Sequence, residues 1–148
     1  MKVLHDCTHE AMLVWNKIMP DHSWPRGWTV VWRKMSAYGN CNWGLKRICL
    51  NTRYANRPER FMETLIHEFV HMHFGYTLKH GIEFRQIQGR WMHRFFGESW
   101  PVHFIGKYYD PVDGKTLVEK QCLPNLGSEL LHLAEVKALL ASLGAGRR

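Results

Sequence analysis

Two histidines and a glutamate in the stretch His67-Glu68-Phe69-Val70-His71 have the spacing of a metal site. Residues four apart lie on the same face of a helix, so both imidazoles could bind one metal ion. Glu68 directly follows the first histidine, where its carboxylate could contact a water on the metal instead of the metal itself. Zinc lowers the pKa of such a water to about 7, and a carboxylate can then accept its proton. The H-E-x-x-H pattern therefore predicts a zinc site of the peptidase type.

The residues around this motif indicate a buried helix. Apolar side chains occupy most sides of it, and a helix that is apolar nearly all round lies in a protein interior. They are Phe61, Met62, Leu65, Ile66, Phe69, Val70 and Met72. Burying His67, Glu68 and His71 unpaired would be costly, and a metal ion would remove that cost. The alternative is a pair of core histidines whose hydrogen bonds are satisfied without a metal.

The motif leaves the third metal ligand open, although a catalytic zinc usually takes three protein ligands. In the pattern H-E-x-x-H-x-x-G-x-x-H, a glycine and a histidine would stand at positions 74 and 77. Phe74 and Thr77 occupy these positions, so this pattern fails. A glutamate from a later helix is another solution, but nothing around Glu83 or Glu98 marks either one as a ligand.

The stretch after the motif resembles the SprT-like family, which includes Spartan. Members have H-E-x-x-H, then a third histidine followed by glycine, with a phenylalanine shortly after. Six residues of this chain match those positions: His67, Glu68, His71, His80, Gly81 and Phe84. Upstream, the segment 48–51 is similar to the family's apolar strand that ends in Leu-Asn before the metal helix. The resemblance covers the chain from Trp28 to Phe96.

This resemblance implies a zinc-dependent endopeptidase with the ligands His67, His71 and His80 and with Glu68 as the catalytic residue. It also implies an α+β, zincin-like fold. Relatives act near DNA and degrade proteins crosslinked to it, so the expected partners are a protein substrate and DNA. Several relatives carry a C-terminal zinc ribbon or a DNA-binding extension, and this chain has neither. Proteolysis therefore carries over better than the crosslinked substrate.

Two other functions compete with this interpretation. One is a DNA-binding or protein-binding module with a structural zinc, which would take a fourth protein ligand such as His73 or Glu83. The other is a regulatory peptidase that cuts one specific protein partner without any role for DNA. Cleavage that depends on DNA would separate the second rival from crosslink repair.

The elements that must position the motif follow from periodicity and capping signals. Asp6 caps a first helix, Arg57-Pro58 opens the metal helix, which Gly75 ends, and Asp113-Gly114 marks a hairpin turn. The predicted segments are a helix over 7–18, strands over 28–35, within 37–44 and over 46–51, helices over 57–75 and 82–96, a hairpin over 108–118, and a helix over 129–143. Short sequential strands favour a small antiparallel sheet packed against the helices. We expect one domain over 1–148, with a core of about 7–97 and a C-terminal hairpin and helix over about 100–143.

The formal net charge of +7 points toward nucleic acid or another acidic partner. Two groups of basic residues could flank one cleft. Arg47 belongs to the predicted strand region, and the others lie on or just before the helix that follows His80: they are Lys79, Arg85, Arg90 and Arg94. We expect them to bind single-stranded DNA or a distorted duplex, in which unpaired bases can stack on aromatic side chains. The alternative is a solvated basic surface.

The cysteines and the N-terminus favour an intracellular protein. No pair among Cys7, Cys41, Cys49 and Cys122 has C-x-x-C spacing, so a zinc ribbon is not supported. No apolar stretch follows the first residues, so we expect no signal peptide and reduced thiols. No run of about twenty apolar residues occurs, and we expect no membrane partner.

Overall fold

The computed structural model describes residues 4–75, 77–97, 103–104, 107–108 and 130–145. It confirms the α+β class. The elements in chain order are β1 (His5–Asp6), α1 (Thr8–Ile18), β2 (Thr29–Arg33), β3 (Gly39–Asn42), β4 (Arg47–Asn51), a 3-10 turn (Thr52–Tyr54), α2 (Pro58–Phe74), α3 (Ile82–Phe96), β5 (His103–Phe104), β6 (Lys107–Tyr108) and α4 (Ala134–Ala145).

The main sheet is mixed, and the prediction of an antiparallel sheet is wrong. Its strand order is β1-β2-β4-β3, with β1 antiparallel to β2 and β3 antiparallel to β4. At the centre, β2 and β4 run parallel from the pair Thr29–Arg47 to the pair Arg33–Asn51. The reason is that β4 lies between β2 and β3, so these two strands follow one another in the sequence but are not neighbours in the sheet. This order leaves β3 at an edge.

Asn51 stabilises the crossover that places β3 outside β4. The side chain of Asn51 is 1 % exposed, and its Nδ2 donates hydrogen bonds to the carbonyl oxygens of Met35 and Ala37 at 2.8 and 2.7 Å. Its Oδ1 accepts from the backbone N–H of Arg53 at 3.0 Å, which begins the turn toward α2. One amide therefore connects the crossover, the end of β4 and the approach to the metal helix.

Helix α2 begins and ends where the sequence predicts. Pro58 stands in its first turn, and Gly75 follows its last residue with a φ of 88°, a conformation that favours glycine. One face of α2 packs against β3 and β4, and another packs against α3. Helix α3 has the predicted bounds, and its buried stripe includes Phe84, Ile87 and Trp91. The H-E-x-x-H motif on α2 thus lies between the edge of the sheet and α3.

At the N-terminus, Asp6 acts as predicted, since its Oδ1 accepts from the backbone N–H of Thr8 at 2.8 Å. The last helix runs over Ala134–Ala145, and a turn over 131–133 separates it from the helical residue Leu130, whose carbonyl accepts from the N–H of Leu133 at 3.0 Å. The predicted start at residue 129 lies outside the described residues. The predicted hairpin over 108–118 falls largely outside the described residues. The prediction of one domain over 1–148 stays a prediction.

Three cysteines in the described part of the chain, Cys7, Cys41 and Cys49, are free thiols, while Cys122 lies outside it. No helix in the described ranges is long and apolar enough to cross a membrane.

Candidate metal centre

Three imidazoles meet at one point beside α2. His67 and His71 stand one turn apart on the helix, with ring centroids 4.9 Å apart. His80 comes from the segment between α2 and α3, and its ring centroid lies 4.9 Å from that of His67 and 4.7 Å from that of His71. One ring nitrogen from each histidine lies within 4.8 Å of the other two. This donor group can hold a metal ion.

Two residues of α3 contact the histidine rings. Phe84 is fully buried, and its ring centroid lies 4.7, 4.8 and 4.9 Å from those of His67, His71 and His80. Gln88 stands one helical turn later, and its Oε1 lies 3.0 Å from Nδ1 of His67. The sequence analysis missed Gln88. Its position four residues after the buried Phe84 is the signal that places it on the same face of the helix.

Burial holds the two helical histidines in the neutral form that binds metals. It lowers the pKa of His67 from 6.5 to about 3; the hydrogen bond with Gln88 opposes this shift, and the neighbouring His71 and His80 add smaller lowering effects. Burial, with His80 nearby, lowers the pKa of His71 to about 4. The pKa of the exposed His80 is also lowered by its partial burial.

Glu68 lies in the narrow space between α2 and the edge strand β3. Its side chain is 6 % exposed, and burial raises its pKa from 4.5 to about 8. Gly39 permits this close approach, because a Cβ on Gly39 would stand 2.6 Å from Cγ2 of Thr64 and 3.7 Å from Oε2 of Glu68. Beside Glu68 a cavity of about 160 Å³ opens between the start of β3 and the α2 face, with Tyr38 and Arg60 in its wall.

The donor set suits zinc. Three neutral imidazoles are nitrogen ligands of the type that catalytic zinc sites use, and three is the usual number of protein ligands there. Nε2 of His71 and Nε2 of His80 are 2.7 Å apart. Ligand nitrogens around tetrahedral zinc are separated by about 3.3 Å, given Zn–N bonds of about 2.0–2.1 Å. The two rings must therefore move apart by a few tenths of an ångström, which the exposed loop position of His80 permits.

The alternative with a structural zinc needs a fourth protein ligand, and neither of the residues named for that role belongs to this group. Among the described residues, the group contains His67, His71 and His80 and neither His73 nor Glu83. His73 follows His71 by two residues, about 200° around the helix axis. Its ring contacts Trp15, Trp91 and His22, at centroid distances of 5.9, 5.8 and 5.4 Å.

Two of the predicted nucleic-acid residues line one groove of the described structure. Arg90 and Arg94 line a groove of about 660 Å³ on the His73 side of α2, together with Lys17, and neither Arg47, Lys79 nor Arg85 lines it. Nη1 of Arg94 donates to the carbonyl of Ile18 at 3.4 Å, and Lys17 pairs with Glu135 at 3.6 Å. Arg90 is exposed in the groove, while Arg85 is half-buried.

Comparison with known proteins identifies one family. A model described as the SprT-like family matches residues 8–99, which include the three histidines, Glu68 and Gln88. No curated protein and no solved structure matched the chain.

Proposed function

The chain belongs to the SprT-like family, and from this premise we propose that it is a zinc-dependent endopeptidase. His67, His71 and His80 would hold the ion, and Glu68 would be the catalytic residue. The observation that carries this proposal is the convergence of the three imidazoles next to a buried carboxylate. SprT-like proteins are in general metallopeptidases that use zinc, and the donor group fits that metal.

Glu68 has the position of a general base. When bound, zinc supplies a Lewis acid that polarises the substrate carbonyl and acidifies a water molecule. Glu68 would accept a proton from the attacking water and would deliver it to the nitrogen of the leaving amine. Burial favours the protonated carboxyl, with a pKa of about 8, but a cation at the adjacent imidazoles favours the ionised carboxylate that the base requires. Phe84 and Gln88 keep the rings in place during this proton transfer.

An extended peptide would bind along β3, which is an edge strand beside Glu68. Its backbone could add to the sheet by hydrogen bonds, as in other cases of strand addition. The cavity of about 160 Å³ would then receive one substrate side chain next to the scissile bond. Gly39, at the start of β3, permits this arrangement because it keeps the strand close to α2.

Cleavage of an unfolded protein such as casein by the wild type and by Glu68→Gln tests this proposal. The carboxamide keeps the shape of Glu68 but cannot accept the proton, so we expect a rate loss of about 10²–10⁴-fold with zinc content unchanged. Equal cleavage by both proteins would remove Glu68 from the mechanism. Zinc binding without any cleavage would favour the non-catalytic module with a structural zinc.

We also propose that DNA, single-stranded or as a distorted duplex, binds the groove that Arg90 and Arg94 line, and that DNA-bound or crosslinked proteins are substrates. The groove combines cations with the ring of Phe74, which is 41 % exposed. Phosphates attract the cations, and unpaired bases can stack on exposed aromatic rings. Since Arg85 does not line this groove, it provides a matched control on the same helix.

An intracellular location stays a prediction.

Binding of labelled single- and double-stranded DNA across a salt series tests this site. We expect affinity to fall steeply as salt rises, and Arg90→Glu to weaken binding more than Arg85→Glu. Absent binding at low salt, or equal effects of the two variants, would remove the groove from the account. Cleavage by the wild type without any effect of DNA would favour the regulatory peptidase that cuts one protein partner.

A further inference from the structure

Gln88 is a buried amide whose oxygen meets the first histidine of the motif. It lies in the middle of α3, 21 residues after His67, and its side chain is 1 % exposed. The 3.0 Å separation between its Oε1 and Nδ1 of His67 is that of a hydrogen bond. An amide oxygen can only accept, so in this contact Nδ1 of His67 carries the proton and donates it. The lone pair of His67 then resides on Nε2.

Packing alone does not account for a glutamine at this position. Nε2 of Gln88 is buried and has no hydrogen-bond partner among the described residues. A buried amide with its N–H groups unpaired lowers stability compared with an apolar side chain of the same size. Its neighbours on the helix, Ile87 and Met92, are apolar and buried. If residue 88 served packing alone, we would expect an apolar side chain there too.

We propose that Gln88 is a positioning residue that selects the metal-binding tautomer of His67. This inference rests on the proposed zinc site and adds a residue to it. With Oε1 toward the ring, Gln88 keeps the proton on Nδ1, so Nε2 of His67 is free to bind the ion. A hydrogen bond to the second nitrogen of a ligand histidine fixes both its tautomer and its ring orientation.

The amide of Gln88 can present either its oxygen or its N–H to His67, so it could select either tautomer, whereas a carboxylate could select only one. If the amide turned over, its N–H would donate to Nδ1 of His67, and the proton of the neutral ring would move to Nε2, where the ion must bind. An ionised glutamate at position 88 can only accept, so it permits a single tautomer. Methionine has a similar length and cannot hold the proton on either nitrogen.

Zinc affinity, measured by competition with a chromophoric chelator, tests the proposal. We expect Gln88→Met to bind zinc about 10–100-fold more weakly than the wild type, and Gln88→Glu to bind it at least as tightly as the wild type. Gln86→Met is the matched control, since Gln86 is the same residue type on the same helix and lies two residues from Gln88, about 200° around the helix axis; we expect unchanged affinity. Equal affinity of Gln88→Met and the wild type would overturn the proposal, as would a Gln88→Glu variant as weak as Gln88→Met.

The metal-free protein supplies a readout that does not depend on zinc. Long-range ¹H–¹⁵N spectra distinguish the two tautomers of His67, and we expect the Nδ1–H form in the wild type and a mixture in Gln88→Met. An Nε2–H tautomer in the wild type would overturn the proposal even if zinc binds. A wild type that shows the Nδ1–H form but binds no zinc would instead contradict the proposed function and, with it, the role assigned to Gln88.

Discussion

Helix α2 carries histidines on two faces, and their surroundings give them different chemistry. On the metal face, His67 and His71 meet a third imidazole, and His67 lines the same cavity as the buried Glu68. On the opposite face, His73 contacts the rings of Trp15 and Trp91 and belongs to an aromatic cluster. The pKa of a histidine is lowered on both faces, mainly by burial. Burial therefore does not identify a ligand; the convergence of several donors does.

Each face of α2 packs against one buried aromatic residue of α3, and replacing that residue by alanine should separate effects on stability from effects on zinc binding. Phe84 and Trp91 are both buried in α3, and replacing either by alanine should cost about 3–5 kcal/mol of unfolding free energy. Only Phe84→Ala should also weaken zinc binding, because Phe84 contacts all three ligand rings. Denaturant unfolding of the metal-free proteins and zinc titration of the folded ones would measure the two effects. Equal losses of zinc affinity would break the distinction between the faces.

The sheet edge beside Glu68 is predicted to tolerate no added methyl group at Gly39. A Cβ there would stand 2.6 Å from Cγ2 of Thr64 and 2.7 Å from the carbonyl oxygen of Cys49. Gly39→Ala should therefore cost about 1–3 kcal/mol of unfolding free energy and reduce cleavage, since β3 must move away from α2. Gly44→Ala in the same hairpin is the control, because its Cβ would meet only Oδ1 of Asn42 at 3.4 Å. Chemical denaturation that gives the same midpoint for both variants would contradict the close approach.

The metal face should also make the stability of the metal-free protein depend on pH. The pKa of Glu68 is raised from 4.5 to about 8, so its contribution is fully present below pH 4.5 and is lost as the pH rises to about 8. Removing this carboxyl in Glu68→Gln should make the variant gain stability over the wild type across that range, by at most about 1.4 kcal/mol per pH unit.

Thermal unfolding in the presence of a chelator would measure this difference between pH 6.5 and 8. The lowered pKa values of His67 and His71 make stability fall as the pH falls toward and below 6.5, and both proteins carry these histidines, so their effect cancels in the difference between the two. His73→Ala is the control from the other face, and it should follow the wild-type slope. A constant difference between Glu68→Gln and the wild type would show that Glu68 is ionised in the metal-free fold.

Local signals in the sequence predicted the elements that carry the site better than they predicted how the elements pair. The bounds of α3 and the end of α2 at Gly75 follow from apolar periodicity and capping, which act within one helix. The parallel pairing of β2 with β4 depends on a crossover held by Asn51, whose partners lie 14 and 16 residues away. No local pattern reports such a contact.

The same difference separates the predicted ligands from the residues that support them. The spacing of His67 and His71 predicts them as ligands, whereas Gln88 contacts His67 only because α3 packs on α2. The basic residues of α3 depend on the fold in the same way. Arg85 and Arg90 are close in the sequence, but they are five residues apart on a helix and therefore point in directions that differ by about 140°. Arg90 therefore lines the groove of about 660 Å³, and Arg85 does not.

Zinc content after dialysis tests the central claim most directly, in the wild type, His80→Ala and His73→Ala. The two substitutions remove the same side chain from the two regions compared above. We expect about one zinc per chain in the wild type and in His73→Ala, and a reduced content in His80→Ala, because only His80 belongs to the three-imidazole group. Full zinc in His80→Ala together with its loss in His73→Ala would contradict the account.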